Sequence, residues 1–334
     1  MCAKVVKVAA DTLARSRPAW WLTARLHLNG GGDAAAALDP ARRGLGPLLA
    51  LSDDVIQPQA GSRPHAHSDV EMFSYVVDGA ISHEHSQLGG HVPGHTRAPQ
   101  PLHAHNPDHG INGINGHSRG GFGDSWSHWG GRGLGGGAVG HGEAAGEACE
   151  TLRRGCVQFV SGGTGVRHAE VNHGSECCRV LHVCLAPDHR GHTPRCGHVR
   201  YGWEDRHNRL LQIVAGAESR ATWPGVSHPP VQVKLHQDAH AFVSESDPGV
   251  RHRLVLGPGR QAYVLCMEGE LLLNGSTLLT ASDGARVLAP PACGPDSVLA
   301  LEARGRAGAH FMVLELPQGP QQAGQVQGQS EERH

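Results

Sequence analysis

The chain has 334 residues, enough for two domains of ordinary size, with a formal net charge of -2 and a pI near 7.0. That balance excludes a basic footprint for nucleic acid and a polybasic membrane signal, and no run approaches the ~18 apolar residues of a transmembrane helix. Nine cysteines, an odd number, occur without a Cys-x-x-Cys pair or a secretory leader, which points to reduced thiols in a cytoplasmic protein. A nuclear address is an alternative, and the mildly basic residues 1–25, with Trp20-Trp21, leave an organellar one open.

Strand signals dominate the chain order. Asp53-Asp54 reads as a turn that begins a strand, and Val70 to Val77 is a β-rich run ending at the turn dipeptide Asp78-Gly79. Residues 88–149 break the pattern with a Gly-Gly-Gly run, an Ile-Asn-Gly repeat at 111–116 and many histidines. Such a segment buries too little apolar side chain to offset its ordering entropy, so it reads as a disordered surface insertion. Strand signals return at Cys156 to Ser161, closed by Gly162-Gly163-Thr164-Gly165, and at Arg179 to Leu185. The adjacent Cys177-Cys178 reads as partly buried small residues.

Farther on, Ala262 to Cys266, Glu270 to Leu273 and the Asn274-Gly275 turn form a hairpin pattern, followed by Asp283-Gly284. The Gln/Gly-rich residues 318–334 read as a tail. Short strands at spacings of roughly 8–12 residues indicate an all-β barrel or sandwich rather than alternating βα units.

Two stretches carry side chains that transition metals accept. His65 and His67 stand two apart in Pro64-His65-Ala66-His67-Ser68-Asp69-Val70-Glu71, and His168 and Glu170 stand two apart about a hundred residues later. On a β-strand alternate side chains share a face, so each pair can reach one point, and neighbouring strands would bring all four together. Glu71 has the parity of His65 and His67 and is expected to face inward with them. Asp69 shares that parity but reads as a loop-facing or hydrogen-bonding group, while His83, His85, His182 and His236 read as structural.

The spacing His-x-His-x3-Glu followed by Gly79 has the form of the first cupin motif, and Gly165, His168 and Asn172 match the end of the second. More specifically, the chain resembles the pirin family. The resemblance is carried by Leu51-Ser52-Asp53-Asp54-Val55, His65-Ala66-His67, Ile81-Ser82-His83-Glu84, Ser161 through Glu170, Gly191-His192-Thr193-Pro194-Arg195 and Lys234-Leu235-His236-Gln237-Asp238. It covers roughly residues 18–316 apart from the insertion. There are departures: the proline precedes the His pair instead of splitting it, Arg154-Gly155-Cys156 stands where a Pro-Gly-Asp turn is common, and Leu181-His182-Val183-Cys184 replaces a strand that often carries Gln and Trp.

The resemblance implies an all-β bicupin, two jelly-roll barrels packed together. Residues 1–200 would form a metal-binding barrel interrupted by the insertion at 88–149, residues 201–317 a second barrel without a metal motif, and 318–334 a disordered tail. It implies His65, His67, His168 and Glu170 as ligands of one divalent transition metal, iron first, with nickel, copper, manganese, cobalt and zinc as alternatives. Glu71 would hydrogen-bond a ligand histidine or serve as an alternative ligand. The implied activity is that of a quercetin 2,3-dioxygenase acting on a small aromatic or enol substrate with O2, with Glu170 as proton acceptor. The alternative reading is a non-catalytic, iron-dependent redox sensor whose partner is a transcription regulator; neither reading involves direct contact with nucleic acid or a membrane.

Overall fold

A computed structural model describes residues 3–29, 44–85, 148–219, 223, 226, 233–289 and 297–319, and their regular secondary structure is almost entirely β-strand. Apart from their edges, the insertion at 88–149 and the tail at 318–334 lie outside the described residues. The chain begins with β1 (Lys4–Val8), β2 (Ala14–Ala19), β3 (Leu22–Asn29), β4 (Leu48–Ile56), β5 (Ala60–Gly61), β6 (His65–His67), β7 (Glu71–Asp78) and β8 (Ala80–His85). After the insertion come β9 (Ala148–Arg153), β10 (Cys156–Ser161), β11 (Val166–Asn172), β12 (Cys178–Leu185) and β13 (Arg195–Arg200). A one-turn helix, α1 (Trp203–Arg206), leads to β14 (Leu211–Gly216), β15 (Val233–Leu235), β16 (His240–Ser246) and β17 (Arg251–Leu256). The last strands are β18 (Arg260–Leu273), β19 (Thr277–Thr280), β20 (Gly284–Leu288) and β21 (Ser297–Pro317).

Two cupin barrels result. In the first, a 7-stranded sheet ordered β13-β10-β7-β12-β4-β3-β2 faces a 5-stranded sheet ordered β5-β11-β8-β9, with β6 paired to β11. In the second, a 9-stranded sheet includes β14 to β21. One strand crosses this division, because β1 pairs antiparallel with β20 and so adds to the second sheet. The chain passes between the two sheets of the first barrel at Gly79, whose φ of 76° would strain any residue with a Cβ. No helix among the described residues is long and apolar enough to cross a membrane.

Two expectations are corrected here. Asp53 and Asp54 are not a turn; both are buried within β4. The segments 262–266 and 270–273 are not the two arms of a hairpin but one 14-residue strand, β18, bent where Gly269 takes a φ of 75°. Asn274-Gly275 does turn, joining β18 to β19.

The period of two then sorts β4, β7 and β12 into two faces. Leu51, Phe73, Tyr75, Val77, Leu181, Val183 and Leu185 join one apolar cluster with Leu211, Ile213, Tyr263, Leu265, Met312 and Leu314, so the two barrels share a core across this sheet. The alternate residues face the interior of the first barrel. Ile56, Val76 and Val180 pack there with Leu22, Ile81 and Leu152 as an apolar plug, while Asp54, Ser74 and His182 line a cavity. Each fully buried Leu, Val or Ile contributes about 1.5–3 kcal/mol, so the plug and the shared core hold the barrel while a part of its interior stays polar. The second barrel instead fills with its own apolar cluster, including Phe242, Leu254, Leu271 and Phe311.

Candidate metal centre

The two ligand-bearing stretches are hydrogen-bonded neighbours. β6 pairs antiparallel with β11, placing His65 opposite His168 and His67 opposite Val166. The rings of His65, His67 and His168 converge, with centroids 4.8 Å apart for His65/His67, 4.5 Å for His65/His168 and 5.0 Å for His67/His168. One nitrogen from each ring lies within 4.8 Å of the other two.

Neighbouring groups fix which nitrogen the rings of His65 and His168 present. His65 Nδ1 lies 2.9 Å from the Arg63 carbonyl oxygen, to which it donates, leaving Nε2 as the ligand atom. His168 Nδ1 lies 3.1 Å from His83 Nε2. His168 Nε2 is buried and has no hydrogen-bond partner among the described residues. A buried ring nitrogen without a partner is costly, and a metal ion beside His65 and His67 satisfies it, so these residues fit the implied ion. Burial, with the neighbouring His65, His67 and His83, holds the His168 pKa well below the usual imidazole range, which keeps a lone pair available.

Glu170 takes a different place. It sits two residues beyond His168, about 7 Å farther along β11 and past the end of the three-residue β6. At that level β11 pairs with β8, Glu170 standing opposite His83. Its Oε1 accepts from Gln158 Nε2 at 2.8 Å and Ser74 Oγ at 3.4 Å, and its Oε2 lies 3.7 Å from His182 Nε2. The carboxylate thus lies outside the three-histidine group, although it lines the same cavity. Burial pushes its pKa up, but His182, His168, His83 and His65 outweigh this and hold it down at about 2.

Glu71 is farther removed. Its Oε2 accepts from Ser161 Oγ at 2.7 Å and from the His236 backbone N–H at 3.1 Å, with no hydrogen bond to a ligand histidine among those described. The inward parity expected of Glu71 fails because Asp69, with a φ of 49°, breaks the chain between β6 and β7 and resets the alternation. Glu71 therefore shares the face of Phe73 and Tyr75, toward the second barrel. Asp69 itself accepts the Gly191 N–H on Oδ1 at 2.8 Å, a hydrogen-bonding role in the turn.

Three residues gain roles that the sequence reading did not assign. His83 orients His168. His182, held by Ser74 Oγ at 3.0 Å from its Nδ1, stands between Glu170 and Asp54, whose Oδ2 lies 3.6 Å from His182 Nε2. Burial raises the Asp54 pKa to about 7, against the attraction of His182. The available signal was the alternation itself, since Val180, His182 and Cys184 lie on the inward face of β12. Together these side chains form one wall of a cavity of about 120 Å³; Leu26, Met72 and Val160 supply apolar surface.

Comparison with known proteins agrees with this architecture. Residues 229–316 match the model of a quercetinase C-terminal cupin domain. A pirin-like protein of Caulobacter vibrioides is 26% identical over 267 residues, 80% of this chain and 84% of that protein. The chain resembles the pirin family. A quercetin 2,3-dioxygenase of Escherichia coli strain K12 is 21% identical over 253 residues, 75% of this chain and 77% of that protein. The crystal structure of the bacterial pirin YhhW from Escherichia coli in complex with nickel(II) shares the fold, with a TM-score of 0.63 at 17% identity, covering 94% of this chain and 99% of that one. His182 on β12 stands in the cavity wall, on the strand where the resemblance had implied Gln and Trp.

Proposed function

We propose that this pirin-like protein is a mononuclear-metal dioxygenase of the quercetin 2,3-dioxygenase type, acting on a flavonol-like enol with O2. The observation that carries the reading is the convergence of His65, His67 and His168 on a cavity that also holds a buried carboxylate, Glu170, and an apolar wall. These three imidazoles would hold one divalent transition metal, iron first among the candidates and nickel next. Such an ion supplies Lewis acidity toward an enol oxygen and redox chemistry with dioxygen.

The chain's own residues supply binding and proton transfer. Leu26, Met72 and Val160 receive a flat aromatic ring and exclude water from it. Glu170 accepts the proton of the substrate hydroxyl on its carboxylate, kept ionised by the surrounding imidazoles and oriented by Gln158 and Ser74. His182 stabilises the charge on Glu170, and Asp54 on its far side balances that imidazole.

Incubation of the iron- or nickel-loaded protein with quercetin tests the reading. The expected result is loss of the flavonol absorbance with matching O2 uptake. Stoichiometric metal without turnover would overturn it and favour the redox-sensing alternative.

A further inference from the structure

Outside the cavity, a second group of ligand-type side chains converges among the described residues: Asp188, His189 and His192, on the loop between β12 and β13. We propose that these three residues form a second metal site, which takes a borderline divalent transition metal such as zinc, nickel or copper(II).

The donor set is the first argument. Two imidazoles and a carboxylate suit these ions, and three protein ligands leave a position for water or an exchangeable ligand. Asp188 Oδ1 lies 2.6 Å from His192 Nε2 and 3.0 Å from His189 Nδ1, and the three ligand atoms lie within 4.8 Å of one another. Bonds of about 2.1 Å to one ion place neighbouring ligand atoms ~3.0–3.4 Å apart, so Asp188 Oδ1 and His192 Nε2 need to separate by about 0.4–0.8 Å, while the contact to His189 is already at that spacing.

The second argument is preorganisation. The loop is tied down on both sides of the ligands: the Asp188 N–H donates to the His236 carbonyl at 2.7 Å, and the His192 carbonyl accepts the Thr164 N–H at 3.0 Å. Between them the Gly191 N–H donates to Asp69 Oδ1 at 2.8 Å. Gly163 has no side chain, and a Cβ there would collide with the His192 carbonyl, so a close approach of the two loops depends on that glycine. The imidazole of His192 is itself fixed by a parallel stack on His236, with centroids 3.8 Å apart and planes 9° apart. A loop built only as a connection between strands does not require two imidazoles aimed at one carboxylate oxygen.

The contrary explanation is that Asp188 serves the loop alone, since its Oδ1 also accepts the His189 N–H at 2.7 Å. The two differ in metal stoichiometry. The full chain is dialysed against zinc sulfate, and bound zinc is counted for the wild type, His189→Ala/His192→Ala, His65→Ala/His168→Ala and the variant with all four changes. Each pair of substitutions is expected to remove one equivalent, and the four changes together to remove two. Asp188→Asn keeps an acceptor for both ring N–H groups and the loop shape, and it weakens the second equivalent by about ten-fold or more. In the His65→Ala/His168→Ala background, cobalt(II) is expected to give a visible absorption band that disappears when His192→Ala is added. The proposal is overturned if His189→Ala/His192→Ala binds as many zinc equivalents as the wild type with equal affinity, or if Asp188→Asn leaves every equivalent unchanged.

Discussion

His168 stands opposite His65 across the β6/β11 pair, their ring centroids 4.5 Å apart, and its far nitrogen is held 3.1 Å from His83 Nε2. The hydrogen bond from β8 turns the buried Nε2 of His168 toward the other two rings, so a residue outside the ligand set fixes the geometry within it.

His83→Ala is therefore expected to weaken metal binding by about 10–100-fold while the barrel remains folded, because the ligand ring loses its orientation but no ligand is removed. Competition titration against a chelator of known affinity reads this directly. Unchanged affinity would show that the contact is incidental.

Glu170→Gln separates two roles for that carboxylate. Glu170 bonds Gln158 and Ser74 and lies outside the three-histidine group, so the variant is expected to keep its metal content and lose flavonol turnover by about 10²–10⁴-fold. Loss of the metal along with the activity would instead make Glu170 a ligand.

The junction between the barrels gives a pH dependence. His27 on β3 is buried beside Tyr263 on β18, its Nδ1 3.0 Å from the phenol oxygen. Burial lowers its pKa from 6.5 to about 4, partly opposed by Asp53 and reinforced by Arg25 and Arg179. The unfolded chain then binds this proton near pH 6.5 and the folded chain only near pH 4, so the contribution is full above 6.5 and is lost as the pH falls from 6.5 to 4. The shift corresponds to about 3 kcal/mol. His27→Gln is expected to lose about 3 kcal/mol less stability than the wild type between pH 7 and pH 4. Parallel pH profiles of the two proteins in denaturant unfolding would exclude this role.

Much of the metal centre was legible because the strand period is so simple. His65, His67 and His168 could be placed on a common point from spacing and turns alone. The same rule failed at Glu71, since one left-handed residue, Asp69, resets the alternation and no residue type announces that reset. It does not fix the place of Glu170 relative to the three rings, which depends on where β6 stops, a property of the partner strand. His182 and Asp54 were missed for a related reason: their proximity exists only because β4 and β12 pair side by side, with His182 in register with Ser52 and Asp54 with Val180. The addition of β1 to the second sheet joins residues more than 280 positions apart, such as Lys4 and Leu288, and nothing local to β1 specifies that partner.

Arg179 tests the other half of the barrel junction. Its Nε and Nη2 donate to Asp53 Oδ1 and Oδ2 at 2.7 and 2.8 Å, and its Nη1 donates to the Met267 carbonyl of β18 at 2.8 Å. Arg179→Met leaves Asp53 buried without that partner and is expected to cost about 3–5 kcal/mol in denaturant unfolding, most of it recovered in Asp53→Leu/Arg179→Met. A cost below about 1 kcal/mol would mean that the pair is solvated like a surface ion pair.

The three-histidine centre itself is tested most directly by the metal content of His65→Ala/His168→Ala, measured by elemental analysis after saturation with iron(II) and removal of free metal. The expected result is the loss of one equivalent relative to the wild type with the barrel still folded, because buried apolar area carries most of its stability. Retention of the full metal content by the double variant would contradict the account.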